Sequence, residues 1–332
     1  MLLIYRSLTF FLYPIFLIII YFRKNLGKED QVRFKEKVFS SSFLKPEETE
    51  KKLFWFHAAS IGEILSIIPL VIKLSDNKNL NILITTVTLS SSNLVQNKLG
   101  KYKNIKHQFF PLDSIFLVKK FLDCWKPSLV CFVDSEIWPN FLIEIKKRNI
   151  PLVLINARIT KKTFMRWIMF KNLSSQVFSK FDLCLTANLE SKNNLIKLGA
   201  KNIKYIGNLK FSVSNKISNM ETKDKENLDD RIVWCAVSTH SGEEILCFKS
   251  HIKIKKYYNN LLTIVIPRHI NRSKEISLEA KKLNLRPQIL NEGELIDKNI
   301  DVLIINSFGN ITKYFEYYKL VLIGKSMLKK FE

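Results

Sequence analysis

Short apolar runs alternate with stretches of helical period along almost the whole chain. The runs lie at 53–59, 81–87, 106–110, 128–133, 151–155 and 183–187, with helix-sized stretches such as 62–74, 114–125 and 140–147 between them. Strands that are apolar throughout, rather than on alternate positions, belong to a parallel sheet covered on both faces. The pattern therefore predicts a Rossmann-like unit. A polar stretch, 212–230, carries few large apolar residues and reads as a linker. A second alternation follows, with runs at 232–237, 262–266, 287–290, 301–305 and 320–323. The expected fold class is α/β, with two Rossmann-like domains facing a cleft. G-x-G-x-x-G is missing, so nothing here points to a dinucleotide.

The amino terminus departs from this alternation. Residues 7–22 are almost wholly apolar, with Arg6 before them and Arg23 and Lys24 after them. The run is close to the shortest that spans a bilayer, and Arg6 can snorkel to lengthen it. No small-residue cleavage site follows, which argues against a removed signal peptide. The expectation is a single retained membrane anchor, with Arg23, Lys24 and Lys28 on the cytoplasmic side. A buried helix is the alternative. The expected domains are thus an anchor at 1–24, a first domain at 25–211, a linker at 212–230 and a second domain at 231–332.

Charge adds a preference for anionic partners. Among 332 residues, 53 Lys+Arg face 30 Asp+Glu, a formal net charge of +23. The lysines are spread rather than blocked, and no helix-turn-helix, RNP-like or zinc-finger pattern is found, so nucleic acid is not expected. An anionic membrane surface or a phosphorylated substrate fits better. The five cysteines form no C-x-x-C pair and the five histidines have no metal-binding spacing. No metal or cofactor is expected, and reduced thiols fit a cytoplasmic location.

Four clusters at strand ends carry the candidate chemistry. Ser60, Gly62 and Glu63 follow the first strand; S-x-x-E fits a capping box as well as a general base at a sheet's carboxyl edge. Asp134 and Glu136 follow the run ending at Val133, with Trp138, Pro139 and Asn140 behind them. Ligand pocket and helix cap are both open readings. Ser238 and Thr239 begin a hydroxyl-rich stretch leading to Glu243 and Glu244, where a helix start would offer amides to phosphate, or an ordinary cap. Arg268 and His269 end the run 262–266, with an arginine fork suited to phosphate, or simply a surface residue. Lys210 adds a cation after the turn at Gly207.

The strings HAASIGE, TTVT, FFPLD, SEIWPN, INARI, GNLKF, STHSGEE and PRH occur in the order found in one family. The chain resembles the Kdo transferases, the 3-deoxy-D-manno-octulosonic acid transferases of lipid A assembly. That resemblance implies a GT-B glycosyltransferase at the inner membrane, moving Kdo from CMP-Kdo to lipid IVA with inversion. It implies Glu63 as general base and maps the family's acidic pair onto Asp134 and Glu136, with aspartate where the family has glutamate. Arg268, Lys210, Ser238 and Thr239 are implied on the phosphate of the donor, with Ser60, Gly62, Trp138, Asn140 and His269 also in the cleft. The family's G-G-H-N-x-x-E stretch has no counterpart before Glu332, Lys325 stands at an expected glycine, and Asn310 at an expected glutamate. The second domain is therefore expected to be incomplete. The alternatives are a member impaired in turnover that binds the lipid precursor, or another GT-B sugar transferase.

Overall fold

The structure is a computed structural model that describes residues 2–46, 50–211, 227–291, 293–306 and 317–325. Most of the expected linker (212–226), Asn310 and Ser326 lie outside these residues. The chain divides into two compact units, Met1–Ser214 and Asn215–Glu332.

The first unit is built on a seven-stranded sheet whose pairings are all parallel. Its strands are β1 (Lys52–His57), β2 (Leu80–Thr86), β3 (Ile105–Phe109), β4 (Leu129–Val133), β5 (Leu152–Ala157), β6 (Leu183–Thr186) and β7 (Ile203–Tyr205). They lie in the order β3-β2-β1-β4-β5-β6-β7. Strand order reverses between β1 and β4, which makes their carboxyl ends the topological switch point where such sheets bind ligands. Six of the strands coincide with the apolar runs. β7 escapes the sequence pattern because it is a three-residue strand with exposed Lys204 and Tyr205.

Helices cover both faces, as continuous apolar strands require. In β1, Leu53 and Trp55 point toward α5 (Ile115–Trp125) and α6 (Pro139–Lys147), while Phe56 packs with α3 (Ile61–Ser75) and α4 (Leu89–Leu99). Trp55 is fully buried among Phe121, Phe132 and Phe141, with ring centroids 4.8, 5.5 and 5.5 Å away. Truncating such a residue to alanine costs roughly 3–5 kcal/mol. Helices α7 (Lys161–Ile168), α8 (Lys171–Phe178) and α9 (Leu189–Leu198) complete the unit.

The apolar amino terminus is not one helix. It forms α1 (Leu2–Phe11) and α2 (Tyr13–Asn25), bent by 51°. Among the described residues no single helix is long and apolar enough to cross a membrane, although the bent pair together meets that length and composition. Pro14, in the first turn of α2, explains the break: it has no N–H to give to the turn before, and its ring crowds that turn's carbonyl. Polar side chains fix α1 to the unit. Tyr5 donates to Asp113 (2.7 Å), Arg6 pairs with Glu144 (3.0 Å), and Asn140 Nδ2 donates to Thr9 Oγ1 (3.2 Å). Leu3, Ile4, Leu8, Phe11, Ile15 and Ile18 are left exposed.

The second unit holds a five-stranded parallel sheet in the order β10-β11-β9-β8-β12. The strands are β8 (Ile232–Thr239), β9 (Leu261–Pro267), β10 (Pro287–Leu290), β11 (Val302–Ile305) and β12 (Tyr318–Ile323). Helices α10 (Glu243–Lys255) and α11 (Ser273–Lys282) pack against it through Cys247, Phe248, Ile276 and Ala280. Two Rossmann-like units in succession are the content of the GT-B fold.

Candidate active site

Side chains from the ends of β1 and β4 meet above the switch point. Glu63 opens α3 and closes a reciprocal cap. Ala59 N donates to its Oε2 (2.7 Å), Ser60 Oγ donates to its Oε1 (2.8 Å), and Glu63 N donates back to Ser60 Oγ (3.4 Å). The capping reading of S-x-x-E is therefore correct, but it does not exhaust the carboxylate. Each oxygen accepts one bond and has room for a second, and the residue is half-buried rather than enclosed. Burial raises the Glu63 pKa above the ordinary value, the bond from Ser60 opposes the rise, and the nearby charges of Glu136 and Asp134 add to it.

Glu136 is pushed the other way. Burial alone would raise it, yet its bonds with His57 Nε2 (3.3 Å) and Trp138 Nε1 (2.8 Å), both to Oε2, hold it below its usual range. Asp134 occupies the left-handed region (φ 62), which aspartate tolerates better than most residues. Burial raises its pKa, and Lys210 and Arg158 offset part of the rise. Lys210 Nζ stands 3.6 Å from Asp134 Oδ2. The turn carrying Lys210 is pinned to the sheet by Asn156, whose Oδ1 accepts from Leu209 N (2.9 Å). The lysine also passes beside Gly62, where an added Cβ would stand 3.5 Å from Nζ, in ordinary contact. Two carboxylates whose environments drive their pKa values apart, with a cation beside them, suit acid–base chemistry.

Asn140 is not part of this site. It is fully buried, with its Nδ2 donating to the Asp113 carbonyl (2.6 Å) and to Thr9. Pro139 starts α6 without a side-chain cap from Trp138, and Asp113 arrives from the loop after β3 to accept from Asn140 N (3.1 Å) and Phe141 N (3.0 Å). Neither Asp134 nor Ser135 caps α6. Asp113 was invisible as a cap because it is far off in sequence. Burial raises its carboxyl to about 7 against the donors around it.

The second unit corrects two further expectations. Helix α10 begins at Glu243 behind Gly242 (φ 90), so Ser238 and Thr239 are not at its first turn. Both belong to the end of β8, where Ser238 (φ 56) sits at a register shift. The buried Thr239 hydroxyl is spent on Glu244 Oε1 (2.9 Å). The helix's own acids occupy its positive end: His240 N donates to Glu243 Oε2 (2.9 Å) and Lys325 N to Glu243 Oε1 (2.7 Å). The arginine fork gripping a carboxylate is Arg272, 2.8 Å from the fully buried Glu244. Arg268 and His269 lie exposed just past the end of β9. Gly324 packs against Ser238, where a Cβ would come within 2.2 Å of a carbonyl oxygen, so only glycine fits.

With this geometry in hand, the similarities to known proteins are specific. Residues 33–213 match the family described as 3-Deoxy-D-manno-octulosonic-acid transferase (kdotransferase). The 3-deoxy-D-manno-octulosonic acid transferase of Rickettsia felis is 30% identical over 373 residues, covering 98% of this chain and 80% of that protein. That of Rickettsia bellii is 31% identical, covering 97% and 77%. Among solved structures, a putative UDP-N-acetylglucosamine 2-epimerase from Listeria monocytogenes shares the fold, with a TM-score of 0.57 at 14% identity over 82% of this chain and 74% of that one. The chain belongs to the Kdo transferase family of glycosyltransferases.

Proposed function

We propose that this Kdo transferase moves Kdo from CMP-Kdo to a lipid A precursor, lipid IVA, with Glu63 as general base. The observation that carries the reading is the pairing at the switch point of a carboxyl with a raised pKa, Glu63, and one held anionic, Glu136. A sugar hydroxyl is a poor nucleophile until a carboxylate takes its proton, and a base with a raised pKa takes it more readily. The hydroxyl oxygen bonds to the anomeric carbon, its proton passes to Glu63, and the bond to the cytidylate oxygen breaks with inversion. Positive charge develops on the sugar, and the anionic Glu136 and Asp134 stabilise it. Cytidylate leaves as an anion and needs cations rather than an acid; Arg268, exposed at the carboxyl end of β9, is the proposed partner.

Catalysis takes place beside a membrane in this reading. The exposed apolar side chains of α1 and α2, ending in Arg23 and Lys24, support seating in the anionic inner membrane from the cytoplasmic side. Tyr5, Arg6 and Thr9 hold α1 to the catalytic unit, which supports a bent pair that seats that unit against the membrane. The direct test incubates the purified chain with CMP-Kdo and tetraacylated lipid A precursor in mixed micelles and follows the product by mass spectrometry. A product heavier by one or more Kdo residues, with stoichiometric CMP, is expected. Transfer from another nucleotide sugar with none from CMP-Kdo would overturn the donor assignment.

A further inference from the structure

His57 is fully buried at the end of β1, stacked on Phe110 at 3.7 Å and edge-on to Phe132 at 5.4 Å. It reaches none of the surface open to a substrate, yet both its ring nitrogens meet polar partners. Nδ1 is 3.0 Å from Thr85 Oγ1 and 3.2 Å from the Thr85 carbonyl; Nε2 is 3.3 Å from Glu136 Oε2. The carbonyl already accepts from Ala58 N (3.0 Å). Thr85 Oγ1 accepts from Trp55 Nε1 (2.9 Å), and the indole can only donate. The threonine hydroxyl keeps a hydrogen that it can give to Nδ1, and its second lone pair can instead accept from Nδ1. An imidazole that accepts at Nδ1 carries its hydrogen on Nε2, where it faces the carboxylate. The opposite tautomer would set a lone pair against Glu136 Oε2.

We propose that His57 is a positioning residue for Glu136, presenting its Nε2 hydrogen to Oε2 from a ring braced at Nδ1 by Thr85. Trp138 Nε1 donates to the same carboxylate oxygen (2.8 Å), so Oε2 is held from two sides and Oε1 is the oxygen turned toward the reacting sugar. The aromatic core of the unit thereby sets the charge and aim of a carboxylate at its surface. This deepens the reading above: its kinetic part rests on Kdo transfer, and its spectroscopic part does not.

Two variants separate positioning from packing. His57→Gln loses the ring but keeps an amide donor where Nε2 was, whereas His57→Phe keeps the stack on Phe110 and loses the donor. Positioning predicts that His57→Phe lowers kcat about 10- to 100-fold with little change in KM, as removal of a hydrogen bond to a charged group does. His57→Gln should recover at least half of that loss on a logarithmic scale. The reverse ranking would overturn the proposal and leave a packing role. Independently of any turnover, 15N spectra of histidine-labelled full-length chain should give His57 as Nε2–H in the native protein. A ring in the native chain that carries its hydrogen on Nδ1 alone would overturn the proposal even if both variants lost activity. If the Nε2 hydrogen is found and CMP-Kdo is not used, the positioning stands and the donor reading falls.

Discussion

Glu63 is asked to close its helix and to take a proton, and the substitution that separates the two tasks is Glu63→Gln. The amide oxygen of glutamine accepts from Ala59 N as the carboxylate does. Its nitrogen faces Ser60 Oγ, a hydroxyl that turns from donor to acceptor without moving its oxygen. Glutamine is also at home in the capping box, so stability should change by no more than about 0.5 kcal/mol. Alanine breaks both bonds. At about 1 kcal/mol net for each, and with water able to replace part of this at a half-buried site, Glu63→Ala should cost roughly 1–2 kcal/mol. Proton transfer makes no such distinction, because neither residue is a base. Both variants should lose about 10²- to 10⁴-fold in single-turnover Kdo transfer, measured as product mass and CMP release. Thermal unfolding of the same samples reads the stability difference. If Glu63→Gln transfers within a few-fold of the native rate, the carboxylate is a cap alone and the assignment of the base is wrong.

Other outcomes follow from the same geometry. Because the base must be ionised and the Glu63 pKa is raised, kcat/KM should fall with acid at a pH above the ordinary glutamate value of 4.5, and the residual rate of Glu63→Gln should lack that limb. Asp113 is raised from 3.8 to about 7, so the native state holds a proton that the unfolded chain releases. Stability should accordingly fall as pH rises from about 4 to about 7, at no more than roughly 1.4 kcal/mol per pH unit, and urea titrations of Asp113→Asn should lose that slope. Arg272→Ala strands the buried Glu244 without its counter-ion and should cost the second unit about 3–5 kcal/mol by urea denaturation; a loss under 1 kcal/mol would deny the pair its structural role. Phe11→Asp with Ile18→Asp, both at exposed positions, should leave the unfolding midpoint unchanged and abolish flotation with anionic phospholipid vesicles.

The sequence by itself determined the architecture, because a parallel sheet buried on both faces writes itself as continuous apolar runs. Eleven of the twelve described strands coincide with those runs, and β7 is missed because two of its three residues are exposed and polar or aromatic. The family was legible too, in short strings kept in order at strand ends. The partnerships among those strings were not. The neighbouring place of β4 beside β1 brings Asp134 and Glu136, more than seventy positions away, to Glu63. Asp113 takes over the cap of α6 and removes Asn140 from the site, while Glu243 and Glu244 fill the helix end that looked ready for phosphate. Pro14 was visible in the chain, but only the packing of Tyr5, Arg6 and Thr9 against the first unit fixed where the bend leads. Periodicity reports which way a residue faces within its own element. Which charge or donor meets it there depends on strand order and on contacts across long stretches of chain, and only the folded protein sets those.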